Sequence, residues 1–210
     1  QFEFAQFENT TKTPLLIHQI EQDILPSKTY AGKVHNLMLA AHHLQKALVL
    51  PRQVLSLCKT IGNPSARRGF KTSRALVDGR LHPTEGGGLC QISGLVYQLA
   101  LHTNLEIVER HNHSVDIYTT STRFTPLGSD ATLVYGFKDL RIRNNTPHPF
   151  RLQFQFRPRR ILAQLYGTRP LSTRAVHYVV TEKKGGRLVH TQTRDGQTIA
   201  TSHYIVPSHY

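Results

Sequence analysis

Cys90 stands one residue beyond three glycines, Gly86, Gly87 and Gly88, in the run Glu85-Gly-Gly-Gly-Leu89-Cys90-Gln91. Glycines accept positive φ and leave bare backbone N–H groups open to a ligand, so such a run bends sharply and lets a substrate approach the main chain. A cysteine in the first turn of a helix would sit at the positive end of the dipole, among N–H groups that no intrahelical carbonyl uses. Both effects favour thiolate over thiol, and the thiolate is the nucleophile. A short way on, Glu109-Arg110-His111-Asn112-His113-Ser114 supplies two imidazoles. A histidine within reach of the thiol could take its proton and later protonate a leaving amine. The N–H groups around Gly88 to Gln91 could receive the oxyanion of a tetrahedral intermediate. The residue types thus fit acyl transfer through a Cys90 thioester.

Other uses of the same residues stay open. A cysteine near a helix start is often plain core. Cys90, His111 and His113 are also zinc-ligand types. No fourth ligand falls at a suitable spacing, and neither CxxC nor HExxH occurs. No cofactor is expected. A cleft that binds without turnover is the remaining alternative.

The elements that must position these groups are legible from periodicity. Ile92, Leu95, Val96 and Leu99 follow i, i+3, i+4, i+7 spacing, which predicts a helix over about 90–101 with that face buried. Leu105 to Arg110 alternates apolar and charged residues, a strand that carries the histidines back towards the helix. If that strand continues, His111 and His113 share one face, so both could point at the cysteine.

The ordered motifs GGGLCQ, ERHNHS, GSDATLVYG and DLRIRNNTPHPF resemble the VanW-like family over about residues 30–156. The resemblance implies a bacterial cell-wall setting and a link to glycopeptide resistance. For some members it implies L,D-transpeptidase activity with the GGGxCQ cysteine as nucleophile. Carried onto this chain, it favours His113 as base, since the His113-Ser114 pair matches the family pattern, with His111 as a second donor or substrate contact. Asp130, in GSDAT, is the carboxylate best placed by motif to orient the imidazole; Asp116 and Asp139 are alternatives, and any of the three could simply cap a turn. Gly87, Gly88, Gln91, Arg110 and Ser114 flank these groups and are the expected substrate contacts. The chain departs from the family at Pro51-Arg52-Gln53 and Leu55-Ser56-Leu57-Cys58, where a Pro-Gly-Glu and a Phe-rich stretch are usual.

Composition narrows the partners. With 26 Lys plus Arg against 13 Asp plus Glu, the 210-residue chain carries a formal charge of +13. Such an excess suits polyanions: nucleic acid, an acidic membrane face or an anionic wall polymer. No basic run is interleaved with aromatics and no nucleic-acid motif occurs, so specific nucleic-acid binding is not expected. Peptidoglycan stem peptides or their precursors are the partners that the family resemblance implies. Cys58 and Cys90 do not make a disulfide scaffold, and a bridge between them would silence the nucleophile. No 18-residue apolar stretch is present. The chain opens at Gln1 rather than Met, which leaves room for an export signal or anchor outside it. The cell envelope, on the outer side of the membrane, is the expected location, with the cytoplasm left open.

The whole reads as α+β: N-terminal helices and a central cysteine-bearing helix packed on a largely antiparallel sheet, with a strand-rich C-terminal third. The expected organisation is a lead-in over 1–29, a core over 30–157, and a β extension of the same domain over 158–210. Within it, Leu15 to Leu25 reads as weakly helical, Lys33 to Leu50 as one helix stopped by Pro51, and 67–80 as a polar loop. Ala131 to Tyr135 reads as a strand, as do Val115 to Thr119 and the later runs joined at Gly185-Gly186 and Asp195-Gly196.

Overall fold

The computed structural model describes residues 6–7, 15–77, 80–116, 118, 123 and 125–206. The chain begins with β1 (Gln6–Phe7), β2 (Leu15–Asp23), α1 (Tyr30–Leu44), β3 (Ala47–Val49) and β4 (Val54–Ser56). A short α2 (Leu57–Ile61) leads to the β5 (Thr72–Val77) and β6 (Arg80–Glu85) hairpin, then α3 (Leu89–His102) and β7 (Glu106–Glu109). The rest is strand: β8 (Arg141–Arg143), β9 (Phe150–Arg157), β10 (Arg160–Gly167), β11 (Val176–Lys183), β12 (Gly186–Thr193) and β13 (Thr198–Ile205). The fold is α+β and sheet-dominated, with every strand-to-strand pairing antiparallel. The largest sheet runs β1-β3-β9-β10-β2, and β11-β12-β13 forms a separate meander.

α3 is the hub of the core. The sequence predicts one buried face, but Leu89 and all of 91–101 are buried, polar Gln91, Ser93 and Gln98 included. A helix covered on every side needs apolar or satisfied groups all round. β2 and β10 lie on one side of it and α1 on another. The 128–132 segment closes a third, with Ser93 Oγ donating to the Ala131 carbonyl at 2.5 Å. A Cβ on Gly94 would lie 3.6 Å from the Ser129 carbonyl. Leu95 is 0% exposed within this cluster. Leu95→Ala should therefore cost about 2–5 kcal/mol through the cavity it leaves, read as a lowered denaturation midpoint; an unchanged midpoint would show that the helix is not the hub.

Several local expectations give way to tertiary pairing. Leu15 to Leu25 is a strand, because β2 pairs along β10 and a bulge opposite Leu165/Tyr166 breaks its period of two. The bulge puts Ile17 and Ile20 against the core together, an i, i+3 spacing that imitates a helix. α1 stops at Leu44, and 47–49 becomes β3 between β1 and β9. Leu48 continues the helical spacing of Leu44, and no glycine or proline marks the true end. Residues 72–77 and 80–85 pair as a hairpin where the sequence predicts a loop, and Asp78-Gly79 lies outside the described residues. Ala131 to Tyr135 is not a strand but an irregular run along α3 with a single bridge, Val134 to Lys138. Of Val115 to Thr119, Val115 bridges to Ile205, while Ile117 and Thr119 lie outside the described residues. Among the described residues no helix is long and apolar enough to cross a membrane.

Candidate active site

The glycine turn is built as tightly as its composition allows. Gly86 and Gly88 have φ of 70° and 95°, which L side chains resist. A Cβ on Gly87 would lie 2.2 Å from the Ser73 carbonyl oxygen, so β5 passes directly beneath the turn. Asn36 on α1 ties the two together, its Nδ2 donating to the Lys71 and Gly87 carbonyls at 2.8 and 3.0 Å. Gly88 then caps α3 and sets Cys90 in the first turn. The N–H groups of Gly86, Gly87 and Gln91 are taken by Lys71, Thr84 and Gly88. Among the described residues, those of Gly88, Leu89 and Cys90 find no backbone acceptor. The candidate oxyanion donors thus narrow to these three.

His113 reaches Cys90 by another route than a strand. β7 ends at Glu109, and 110–113 run on irregularly, held by Thr132 N–H donating to the His111 carbonyl at 2.7 Å. The same-face argument from alternation lapses there. The His113 ring adjoins the Cys90 thiol and acts on its ionisation, while its Nδ1 lies 2.6 Å from Asp130 Oδ2. With Nδ1 committed to Asp130, Nε2 is the nitrogen left for the thiol. The His111 ring turns away, 3.0 Å from Glu109 Oε1, with its side chain 40% exposed against 20% for His113. Among the described residues no three His, Cys, Asp or Glu side chains converge as metal ligands; His111 is not gathered with Cys90 and His113.

Asp130 is over-determined. Its Oδ2 also accepts the His113 backbone N–H at 2.7 Å, and its Oδ1 accepts Arg110 Nη2 at 3.1 Å and the Tyr204 hydroxyl. Arg110 faces inward: it donates to the Asp130 and Gly128 carbonyls and to Ser202 Oγ, and its guanidinium lies 4.8 Å over the Tyr97 ring. Arg110 therefore positions Asp130 instead of meeting a substrate. Gln91 is likewise inward, its Nε2 donating to the Asp23 carbonyl at 2.9 Å and pinning α3 to β2. Ser114 is exposed, and its carbonyl accepts the Ile205 N–H at 2.8 Å. The alternative aspartates serve elsewhere. Asp116 pairs with Arg123 and Arg187, and Asp139 accepts from Ser56 Oγ and the Cys58 N–H at the start of α2.

The electrostatics follow from these contacts. Burial alone would raise the Cys90 thiol, but the hydrogen bond and charge of His113, with the Leu133 N–H, overcome it and hold the thiol below its ordinary value. Burial works against the His113 imidazolium, yet Asp130 and Cys90 lift it to about 10. Burial likewise opposes the Asp130 carboxylate, while His113 and Arg110 hold it at about 2. The two directions favour a thiolate–imidazolium pair. Cys58 is its opposite: burial and Asp139 push that free thiol up to about 12. Iodoacetamide at pH 7 should therefore modify Cys90 quickly and leave Cys58 untouched. Equal labelling of the two by peptide mass spectrometry would contradict the ion pair.

Motif reading missed Tyr204, Ser202 and Lys33. The first two reach the site from β13, more than 70 residues from Asp130, with no local pattern to announce them. Lys33 left a faint mark, a cation in a first helical turn that holds no acidic residue.

Residues 32–166 match the family described as VanW like protein. A protein of Enterococcus faecalis named Vancomycin B-type resistance protein VanW is 30% identical over 135 residues, covering 64% of this chain and 49% of that one. A Bacillus subtilis protein named Uncharacterized protein YoaR is 27% identical over 165 residues, covering 76% of this chain and 53% of that one. The chain thus spans about half the length of the curated relatives it matches. No solved structure matches it.

Proposed function

From the premise that this chain belongs to the VanW-like family, we propose that it is a cysteine acyltransferase of the L,D-transpeptidase type, joining peptidoglycan stem peptides at the cell envelope. The observation that carries this reading is Cys90 in the first turn of a buried helix, with His113 beside it and Asp130 2.6 Å from the His113 ring. It is the nucleophile, base and orienter arrangement of acyl transfer. The Cys90 thiolate attacks the carbonyl of the donor peptide and forms a C–S bond. The oxyanion is received by the free N–H groups of Gly88, Leu89 and Cys90. As the intermediate collapses, the amide C–N bond breaks and His113 gives its proton to the leaving amine. An amine of a second stem then attacks the thioester, returns a proton to His113 and releases the thiolate. Asp130 keeps its charge throughout and holds the ring. The name of the Enterococcus faecalis relative supports a bearing on vancomycin resistance, since exchange at the stem terminus alters the target of a glycopeptide. The +13 charge supports retention on an anionic wall.

The test is to incubate the purified protein with defined stem peptides and follow both protein mass and cross-linked product. A thioester at Cys90 and a new amide bond are expected. Binding of stem peptide with neither product would leave the chain a binding module.

A further inference from the structure

The cations around Asp130 and Asp116 are paired with those carboxylates. Lys33 and Arg74 are different. Lys33 lies in the first turn of α1, and its stem runs over Gly88: a Cβ there would stand 2.7, 3.3 and 3.4 Å from Lys33 Cγ, Cδ and Cε. The missing glycine side chain is what lets the lysine pass beside the start of α3. Arg74 lies on β5, whose backbone is pressed under Gly87, so the two basic residues bracket the glycine turn that presents Cys90. Their charges are close enough to repel, and Lys33 also feels the Cys90 thiolate. Tyr118 also lies within the field of both Arg74 and Cys90. Among the described residues neither Lys33 nor Arg74 has a carboxylate partner.

Three influences oppose the Lys33 charge: burial, Arg74, and a place in the first turn, where the helix dipole disfavours a cation. The first two bring it down to about 8, with Cys90 acting the other way. It is thus protonated at pH 7, but poorly compensated. Perturbed groups left in this condition beside a nucleophile mark a place for a missing charge, and the missing charge is negative.

We propose that Lys33 and Arg74 form a carboxylate-binding subsite beside Cys90, which holds the free C-terminal carboxylate of the residue that leaves the donor peptide. This rests on the acyl-transfer reading above and narrows its substrate. Consecutive Cα atoms are about 3.8 Å apart, so a terminal carboxylate one residue beyond the scissile carbonyl falls in a subsite adjoining the nucleophile. Arg74 offers a planar fork to such a group and Lys33 a point charge. The site then accepts peptide ends and rejects internal bonds, because an amide in place of the carboxylate leaves both cations unanswered.

Two measurements at pH 7 separate this from the reading it rests on. The first compares alkylation of Cys90 by iodoacetate and by iodoacetamide, which needs no peptide substrate. The iodoacetate-to-iodoacetamide rate ratio should fall roughly 10-fold in Lys33→Met or Arg74→Gln. Methionine keeps the stem over Gly88 and Arg74 is exposed, so both variants should fold. A ratio unchanged in both variants overturns the subsite. The second compares thioester formation from Nα-acetyl-L-lysyl-D-alanine and from the same peptide ending in a carboxamide. The parent should prefer the acid by roughly 10- to 100-fold in kcat/KM, with the preference collapsing in the two variants. Equal use of acid and amide by the parent overturns the assignment of the donor carboxylate. A ratio that responds to the substitutions, with no thioester from either peptide, overturns acyl transfer while the anion subsite stands.

Discussion

Cys90→Ser is expected to leave stem-peptide transfer at least about 10³-fold below the parent while the fold survives. The hydroxyl fits the space and can still hydrogen-bond His113, so the loss is chemical. His113 brings the Cys90 thiol below its ordinary value against the effect of burial. A serine hydroxyl starts far higher, so the same partner leaves it neutral at pH 7, and neutral oxygen is a weak nucleophile. Cys90→Ala should match it, since removing any one member of a unit that acts together forfeits most of the unit. Near-UV circular dichroism checks the fold, and protein mass checks for the thioester. Full cross-linking by Cys90→Ala would end the catalytic reading.

The part of the site that is local in sequence was legible, and the part assembled across the fold was not. Gly86 to Gly88 announced a tight turn and a helix start, and Cys90 stands there. His113 and Asp130 were reachable through ordered motifs, and the structure gathers them with Cys90. His111 was drawn in by strand alternation, which β7 abandons at Glu109. Arg110 looked like a substrate contact because arginine so often is one; only the packing of Tyr97, Gly128 and Ser202 around it turns it inward. The same division runs through the fold. The β11–β12 and β12–β13 hairpins have short, locally specified turns and were legible. The bulge in β2 and the α1–β3 boundary depend on a partner strand more than 100 residues away, where propensity carries no information.

β13 bears on this in a further way. It lies beyond the matched residues 32–166, yet it supplies the Tyr204 hydroxyl to Asp130 and Ser202 to Arg110. The Asn112 amide donates to the His203 carbonyl at 2.7 Å, and the Ile205 and Ser114 backbones are joined at 2.8 Å. The family motifs hold the reacting groups, and the C-terminal meander fixes the loop that aims them.

His113→Ala should reduce transfer by roughly 10²–10⁴-fold and should also change how Cys90 responds to pH. In the proposed reaction the imidazolium does two things: it stabilises the thiolate and it protonates the leaving amine. Without it only burial and the nearby Asp130 charge, both of which raise the thiol, oppose the Leu133 N–H. Alkylation of Cys90 at pH 7 should therefore slow sharply, and its pH midpoint should move up. In the parent, transfer should rise as the thiol ionises below its ordinary range and fall as His113 loses its proton near pH 10. Asp130→Asn should lie between parent and His113→Ala, because it keeps the ring's place but removes the charge that holds the proton on it. Stability follows the same signs. The folded value of His113 is above its ordinary 6.5, so its contribution is complete below that value and is lost as pH rises through about 10. The Asp130 value is below its ordinary 3.8, so its contribution is complete above that value and is lost as pH falls through about 2. The losses of His113→Ala and Cys90→Ser should not add, since each disables the same ion pair. An alkylation midpoint for Cys90 that is unmoved by His113→Ala would show that the histidine does not make the thiolate, and the base would have to be sought elsewhere.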